Sequence, residues 1–364
     1  MTHGQQKNQW YAKSNRYCHR FIAVISLAAL IVSLGCSPEV TNEMPDKVEF
    51  ESVWQHLKVY SIYQDKIADD PFSYNSVADM FLKLGDTLKG ETNRYTWYVN
   101  HNLHDTTPGW LAKSAASDVT FSKLTDSCCL LKITTFLETS EVPVYEQFKA
   151  VLSKVANYRN VIVDLRGNTG GELLTTDYIV EDLLPAGVHY IRTKERVFNS
   201  TNQGGITVDS VWYTKRDARS EFSNKKFAVL VNGFTASASE VLALALKDGL
   251  GAPMYGEQTY GKGIGQIYIQ RRDRLWLRIT CMHFYRINGS VDYHRVGISP
   301  DTPSAQLVAE GVTEKDNKYI YYAVKTLQPS VQKDQITYPS SNSNAPSEQI
   351  GGMYKYADEL ESIE

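Results

Sequence analysis

Three stretches of this chain place hydroxyl, amine and glycine where they could do chemistry together. Ser237 stands where the run Phe227 to Val231 (FAVLV) passes through Asn232-Gly233-Phe234-Thr235-Ala236 into a helical pattern, Ser239 to Lys247. A hydroxyl at a strand-to-helix turn opens at the carboxyl edge of a sheet, where open α/β sheets bind ligands. The N–H of Ala238 would point at any oxyanion there, helped by the helix dipole. Ser237-Ala238-Ser239-Glu240 also fits an S-x-x-E capping box, in which the hydroxyl only satisfies a helix N–H. Both uses ask for the same geometry. Lys262 follows 25 positions later, inside Tyr260-Gly261-Lys262-Gly263-Ile264-Gly265-Gln266. Its flanking glycines allow an unusual turn and close backbone approach. A lysine pushed into a pocket there loses its proton more readily and can act as a general base. A solvated loop charge is the plainer use of the same residue. The order G-x-x-x-x-G-K-[ST] is absent, so this is not a phosphate loop.

The third stretch is Val161 to Glu172, VIVDLRGNTGGE. Its glycines, at 167, 170 and 171, do not meet the G-x-G-x-x-G dinucleotide spacing. Adjacent glycines after a buried strand leave backbone N–H groups bare, and such a pair can donate to an oxyanion. Asp164 and Arg166 read as an ion pair shaping the loop.

Such residues need a frame. Cys129 to Phe136, Asn160 to Leu165 and Lys226 to Val231 are strand-like, the last two as continuous apolar runs of the kind buried on both faces. Helical patterns lie between and after them at Val144 to Ala156, Glu172 to Leu184 and Ser239 to Lys247, the last stopping at Gly249. This alternation predicts an α/β fold with a mixed sheet and crossover helices. Residues 188–224 hold hairpin-like pieces. Two further strands are expected at Ile267 to Ile269 and Leu275 to Thr280. Phe50 to Lys89 forms a small helical unit broken at Asp70-Pro71, and Thr96 to Val99 is strand-like. The tail from Pro329 to Gly352 has the composition of disorder.

The 364 residues are 42% hydrophobic and 22% charged, with a net charge of −3. That is globular composition, and it argues against nucleic acid as a partner. Lys7, Lys13, Arg16 and Arg20 precede the apolar run Phe21 to Leu34, which is short for a membrane span and suited to a signal peptide. Gly35-Cys36 at its end resembles a bacterial lipoprotein signal, although Ser33 stands where such signals usually carry Leu. That resemblance implies a lipidated Cys36, membrane attachment and a place in the cell envelope. Cys128, Cys129 and Cys281 have no metal-ligand spacing and read as small buried hydrophobes. His101 and His104 are too isolated for a metal site.

Taken in order, DLRGNTGG, VLVNGFTASASE and GEQTYGKGIGQ resemble the C-terminal processing (tail-specific) family of serine peptidases. Val296-Gly297-Ile298-Ser299-Pro300-Asp301 adds a fourth match, and the likeness covers about residues 50–310. It implies a ClpP/crotonase-like catalytic core and a Ser–Lys dyad. Ser237 falls on the nucleophile, Lys262 on the general base and Gln266 on the glutamine that orients the lysine. Ala238 and Gly170, or its neighbour Gly171, fall on the backbone oxyanion donors. The substrate implied is an extended polypeptide, with no metal or cofactor. The division expected is a signal peptide (1–36), a tether (37–49), a helical unit (50–90), the core (91–310), a C-terminal helix (311–328) and a mostly disordered tail (329–364). The family inserts a PDZ domain that finds little room here, since about forty residues separate Gly90 from Leu131. A silent peptide-binding protein with the same fold is the main rival; it has no need of Ser237, Lys262 and Gln266 together. An exported carbohydrate- or lipid-binding protein would instead leave Ser237 and Lys262 far apart.

Overall fold

The computed structural model describes residues 45–75, 77–85, 96–100, 117–138, 140–199, 204–270, 275–287, 292–303 and 315–339. Apart from the first four residues of the opening helix, all of these belong to one compact unit beginning at Glu49. In chain order its elements open with helix α1 (Pro45–Tyr60), helix α2 (Val77–Leu84) and strands β1 (Trp97–Asn100), β2 (Val119–Lys123) and β3 (Cys128–Ile133). Then come α3 (Val144–Val155), β4 (Asn160–Asp164), α4 (Leu173–Leu183), β5 (His189–Asn199) and β6 (Gly204–Tyr213). The last are β7 (Lys226–Val231), α5 (Ala238–Leu250), β8 (Met254–Gly256), β9 (Ile264–Gln270), β10 (Leu275–Tyr285), β11 (Thr302–Pro303) and α6 (Lys315–Leu327).

Six of these strands form a mixed sheet in the order β11-β8-β7-β4-β3-β2. From β3 to β11 all pairs are parallel, and β2 closes one edge antiparallel to β3. Parallel neighbours need crossovers, and α3, α4 and α5 supply them. Strand alternation divides the core cleanly. On β4 and β7, Val161, Val163, Phe227, Val229 and Val231 point to the layer of α3, α4 and α5. Ile162, Ala228 and Leu230 point the other way, onto Tyr319, Ile320, Ala323 and Val324 of α6. The sheet is therefore covered on both faces, which is why its strands read as unbroken apolar runs.

The second sheet is antiparallel, with β10 at its centre beside β1, β5 and β9, and β6 beyond β5. Leu277 and Ile279 of β10 are buried with Val53 and Leu57 of α1 and Met80, Phe81 and Leu84 of α2. The helical lead-in therefore shares its apolar core with this sheet instead of closing one of its own.

Several elements differ from the sequence expectation. α5 does not stop at Gly249, because that glycine serves packing: a Cβ there would lie 2.8 Å from Val188 Cγ1 and 2.9 Å from Leu184 Cδ2. The stop is Gly251, left-handed at φ +66°. Strands β9 and β10 are longer than the runs that marked them. The start of the tail is ordered: Val331 and Ile336 bury against α6, and Thr337 N–H donates to Leu124 O at 2.8 Å. The leader with Cys36, the pair His101 and His104, most of the room expected for a PDZ domain and the rest of the tail lie outside the described residues. No helix among the described residues is long and apolar enough to cross a membrane. Cys128, Cys129 and Cys281 are free and buried, and desolvation pushes the Cys129 and Cys281 thiols up to about 12.

Candidate active site

Three loops meet at the carboxyl ends of β4, β7 and β8. The first, Leu165 to Glu172, is organised by Asn168, which is wholly buried. Its side-chain amide donates to Ile133 O at 3.1 Å, and its carbonyl accepts from Ala236 N and the Ser239 hydroxyl at 3.0 and 2.9 Å. Gly167 N–H donates to Asn232 Oδ1, and the Thr235 hydroxyl donates to Leu165 O, both at 2.9 Å. Asp164 and Arg166 form the expected pair, with Nε–Oδ1 and Nη2–Oδ2 distances of 2.8 and 2.7 Å. Burial alone would raise the Asp164 carboxyl, yet the guanidinium outweighs it and holds the group below its ordinary range. The Arg166 side chain also lies over the Tyr319 ring of α6.

The second loop turns sharply at Ser237, which has φ +58° and ψ −122°. A non-glycine residue at positive φ costs on the order of 1–3 kcal/mol and persists only where its surroundings hold it. Gly170 is one of those surroundings. A Cβ on it would meet Ala236 O at 2.7 Å and Ser237 Cβ at 2.8 Å. The double glycine therefore lets the first loop close directly on the serine. Ser237 remains partly exposed while Ala238 and Ser239 behind it are buried. Ala238 opens α5, so its N–H belongs to the first turn, where helix donors have no intrahelical partner.

The third loop, Glu257 to Gly263, is brought to the second by one side chain. Glu240 of α5 is fully buried and accepts four hydrogen bonds. Its Oε1 takes the Thr259 hydroxyl at 2.5 Å and Gly261 N–H at 2.8 Å. Its Oε2 takes Ser237 N–H at 2.9 Å and Lys262 N–H at 2.8 Å. Sharing one oxygen keeps the Ser237 and Lys262 nitrogens within about 6 Å of each other. Tyr260 N–H donates to Thr235 O at 2.9 Å, a second tie between the same loops.

Electrostatics at this junction are unusual. The Lys262 amine is brought down to about 7, chiefly by desolvation and in part by the like charge of Arg278, with Glu240 opposing both. Desolvation raises the Glu240 carboxyl to about 7 against the pull of its four donors. Lysine at such a value is substantially neutral near physiological pH, the state a general base needs.

The structure gathers Ser237, Ala238, Gly170, Gly171 and Lys262 in one place but engages one of them differently. Gly170 N–H donates to Asn168 Oδ1 at 2.9 Å, so that group is occupied and does not face an oxyanion. Phe136 bridges Gly171 by accepting from Glu172 N and donating to Gly170 O, which turns the N–H of Gly171 itself away from that segment. Gln266 sits on β9 opposite Thr280, with its Nε2 buried and without an acceptor among the described residues. His283 and Asp292 pair at 3.0 Å beside His294, whose backbone packs on Gly263. The main residue the sequence reading left out is Glu240, visible there only as a cap. Among the described residues no group of three or more His, Cys, Asp or Glu could hold a metal.

The family model described as Peptidase family S41 matches residues 127–304. Carboxyl-terminal-processing peptidase 2, chloroplastic, from Arabidopsis thaliana is 33% identical over 173 residues, covering 48% of this chain and 31% of that protein. The C-terminal processing peptidase, chloroplastic, of Tetradesmus obliquus is 35% identical over 145 residues, covering 39% and 28%. The chain thus spans about 31% or less of the length of these relatives. A solved lipoprotein structure from Streptococcus agalactiae shares the fold, with a TM-score of 0.51 at 13% identity, covering 81% of this chain and 100% of that one.

Proposed function

We propose that the chain is a serine endopeptidase of peptidase family S41, whose model its residues 127–304 match, working through a Ser237–Lys262 dyad. What carries the proposal is the desolvated amine of Lys262 on a loop tied, through one carboxylate oxygen, to the strained turn that presents Ser237. Neutral Lys262 takes the hydroxyl proton as Ser237 Oγ attacks a peptide carbonyl carbon. The tetrahedral oxyanion is held by the N–H of Ala238 and by that of Gly171, with the N-terminus of α5 adding its dipole. Collapse breaks the C–N bond, and the lysine ammonium gives its proton to the leaving amine. Water, deprotonated by the lysine, then attacks the acyl ester and releases the carboxylic acid and free Ser237. Gln266 supports the lysine from β9. No step calls for a metal or cofactor.

The substrate is a polypeptide in extended form; exposed Phe234 in the serine loop, Leu137 beside Gly171 and Val296 beside Gly261 offer it apolar surface. We place the enzyme in the cell envelope, held to a membrane by a lipidated Cys36; radiolabelled palmitate incorporated by the intact chain and lost in Cys36→Ala tests this. Digestion of casein and of a peptide library by purified protein tests the activity. Wild type should cleave, while Ser237→Ala and Lys262→Ala should each fall roughly 10³-fold or more. Equal inertness of all three with retained peptide binding would support the silent-scaffold rival instead.

A further inference from the structure

Resting on the dyad reading, we propose that Glu240 is the positioning residue of this site: its carboxyl group, through four hydrogen bonds, holds the Ser237 turn and the Lys262 loop in register for proton transfer. An ionised carboxylate is acceptor-only and offers about four lone-pair sites. Here all four are used, and every donor belongs to the two loops that carry the dyad. No other side chain of similar size can do this. Glutamine would keep one accepting oxygen and set an NH2 against donors; aspartate is one methylene too short to span both loops from α5.

A passive staple and this role differ in electrostatics. Arg278, on β10 across from Tyr268, acts on the lysine amine with like charge, and Glu240 opposes it. The buried Tyr293 hydroxyl also feels the Glu240 charge, together with that of Asp292. The groups that bear on this junction are thus Lys262, Arg278, Tyr293 and Asp292. Removing the charge of Glu240 leaves the influence of Arg278 unopposed, so the amine should lose its proton at lower pH. Glutamine keeps the oxygen for Ser237 and Lys262 by turning its amide toward Thr259, whose hydroxyl can accept, and it leaves Gly261 N–H without a partner.

The test is the pH profile of kcat/KM on a fluorogenic peptide for wild type, Glu240→Gln and Glu240→Ala, with urea midpoints as folding controls. In wild type the rate should rise through pH about 7, where the Lys262 amine and the Glu240 carboxyl titrate as a coupled pair. In Glu240→Gln the plateau should fall roughly tenfold, and the midpoint of the rise should move down by about one pH unit. Glu240→Ala should lose about 10²-fold or more in kcat with KM little changed, the scale of an ångström misplacement. If Glu240→Ala does not fold, the Glu240→Gln midpoint alone decides. A midpoint identical to wild type, with only stability or KM altered, overturns the inference and leaves a staple. If wild type neither cleaves peptides nor reacts at Ser237 with a fluorophosphonate, the dyad reading itself fails and this inference falls with it.

Discussion

At the scale of single residues, the proposed chemistry rests on two desolvated ionisable groups, Lys262 and Glu240. Lys262 has its proton affinity lowered from the usual lysine value to about 7, so burial penalises its charged form. The sign follows from linkage: between pH 7 and the usual lysine range the unfolded chain holds a proton that the native chain has given up. Native stability therefore rises with pH across that window, and the full penalty is present below 7. Lys262→Met should remove it, raising stability at pH 6 on the order of 2–4 kcal/mol while abolishing activity; urea unfolding at pH 6 and pH 9.5 checks this, with the gain shrinking at the higher pH. The serine and the lysine were legible in the sequence because each sits among small residues that need a special backbone. Glu240 was not, since its neighbours explain it fully as a helix cap. Its partners at Thr259 and Lys262 lie 19 and 22 positions away, and no local pattern reports such a bond.

At the scale of elements, the site is where three β-to-loop transitions of one sheet are sewn together. Asn168 does much of the sewing: its side chain ties β3 to the double-glycine loop, and its carbonyl anchors the serine turn. Asn168→Ala leaves Ile133 O and Gly170 N–H without their partner in a dry interior. That should cost about 1–3 kcal/mol, read from urea midpoints, and lower kcat more than it raises KM because the turn under Ser237 loosens. Period and composition announced β3, β4 and β7, and the helices α3 and α4, almost to their ends, and the start of α5. They misjudged α5, because Gly249 looks like a stop by type and is in fact a contact with Leu184 and Val188. They also understated β9 and β10, whose alternating polar and apolar residues face two environments. Partner and register across that antiparallel sheet are long-range choices that no window of sequence contains.

At the scale of the whole molecule, the family-matched segment 127–304 accounts for about half the chain, and the helical lead-in and α6 pack against its sheets. Each buries its apolar face on a different sheet: α1 and α2 on Leu277 and Ile279, and α6 on Ile162 and Leu230. A tail judged by composition alone looked disordered, yet Val331 and Ile336 are enough apolar surface to dock its first turn. The central claim is that a neutral Lys262 activates Ser237, and the most direct measurement is the rate at which a fluorophosphonate labels the protein, followed by intact mass and peptide mapping from pH 5 to 9. One adduct on Ser237, forming faster as pH rises through about 7 and nearly absent in Lys262→Met, is the predicted result. Labelling at another residue, or at Ser237 with a rate indifferent to Lys262→Met, would contradict it.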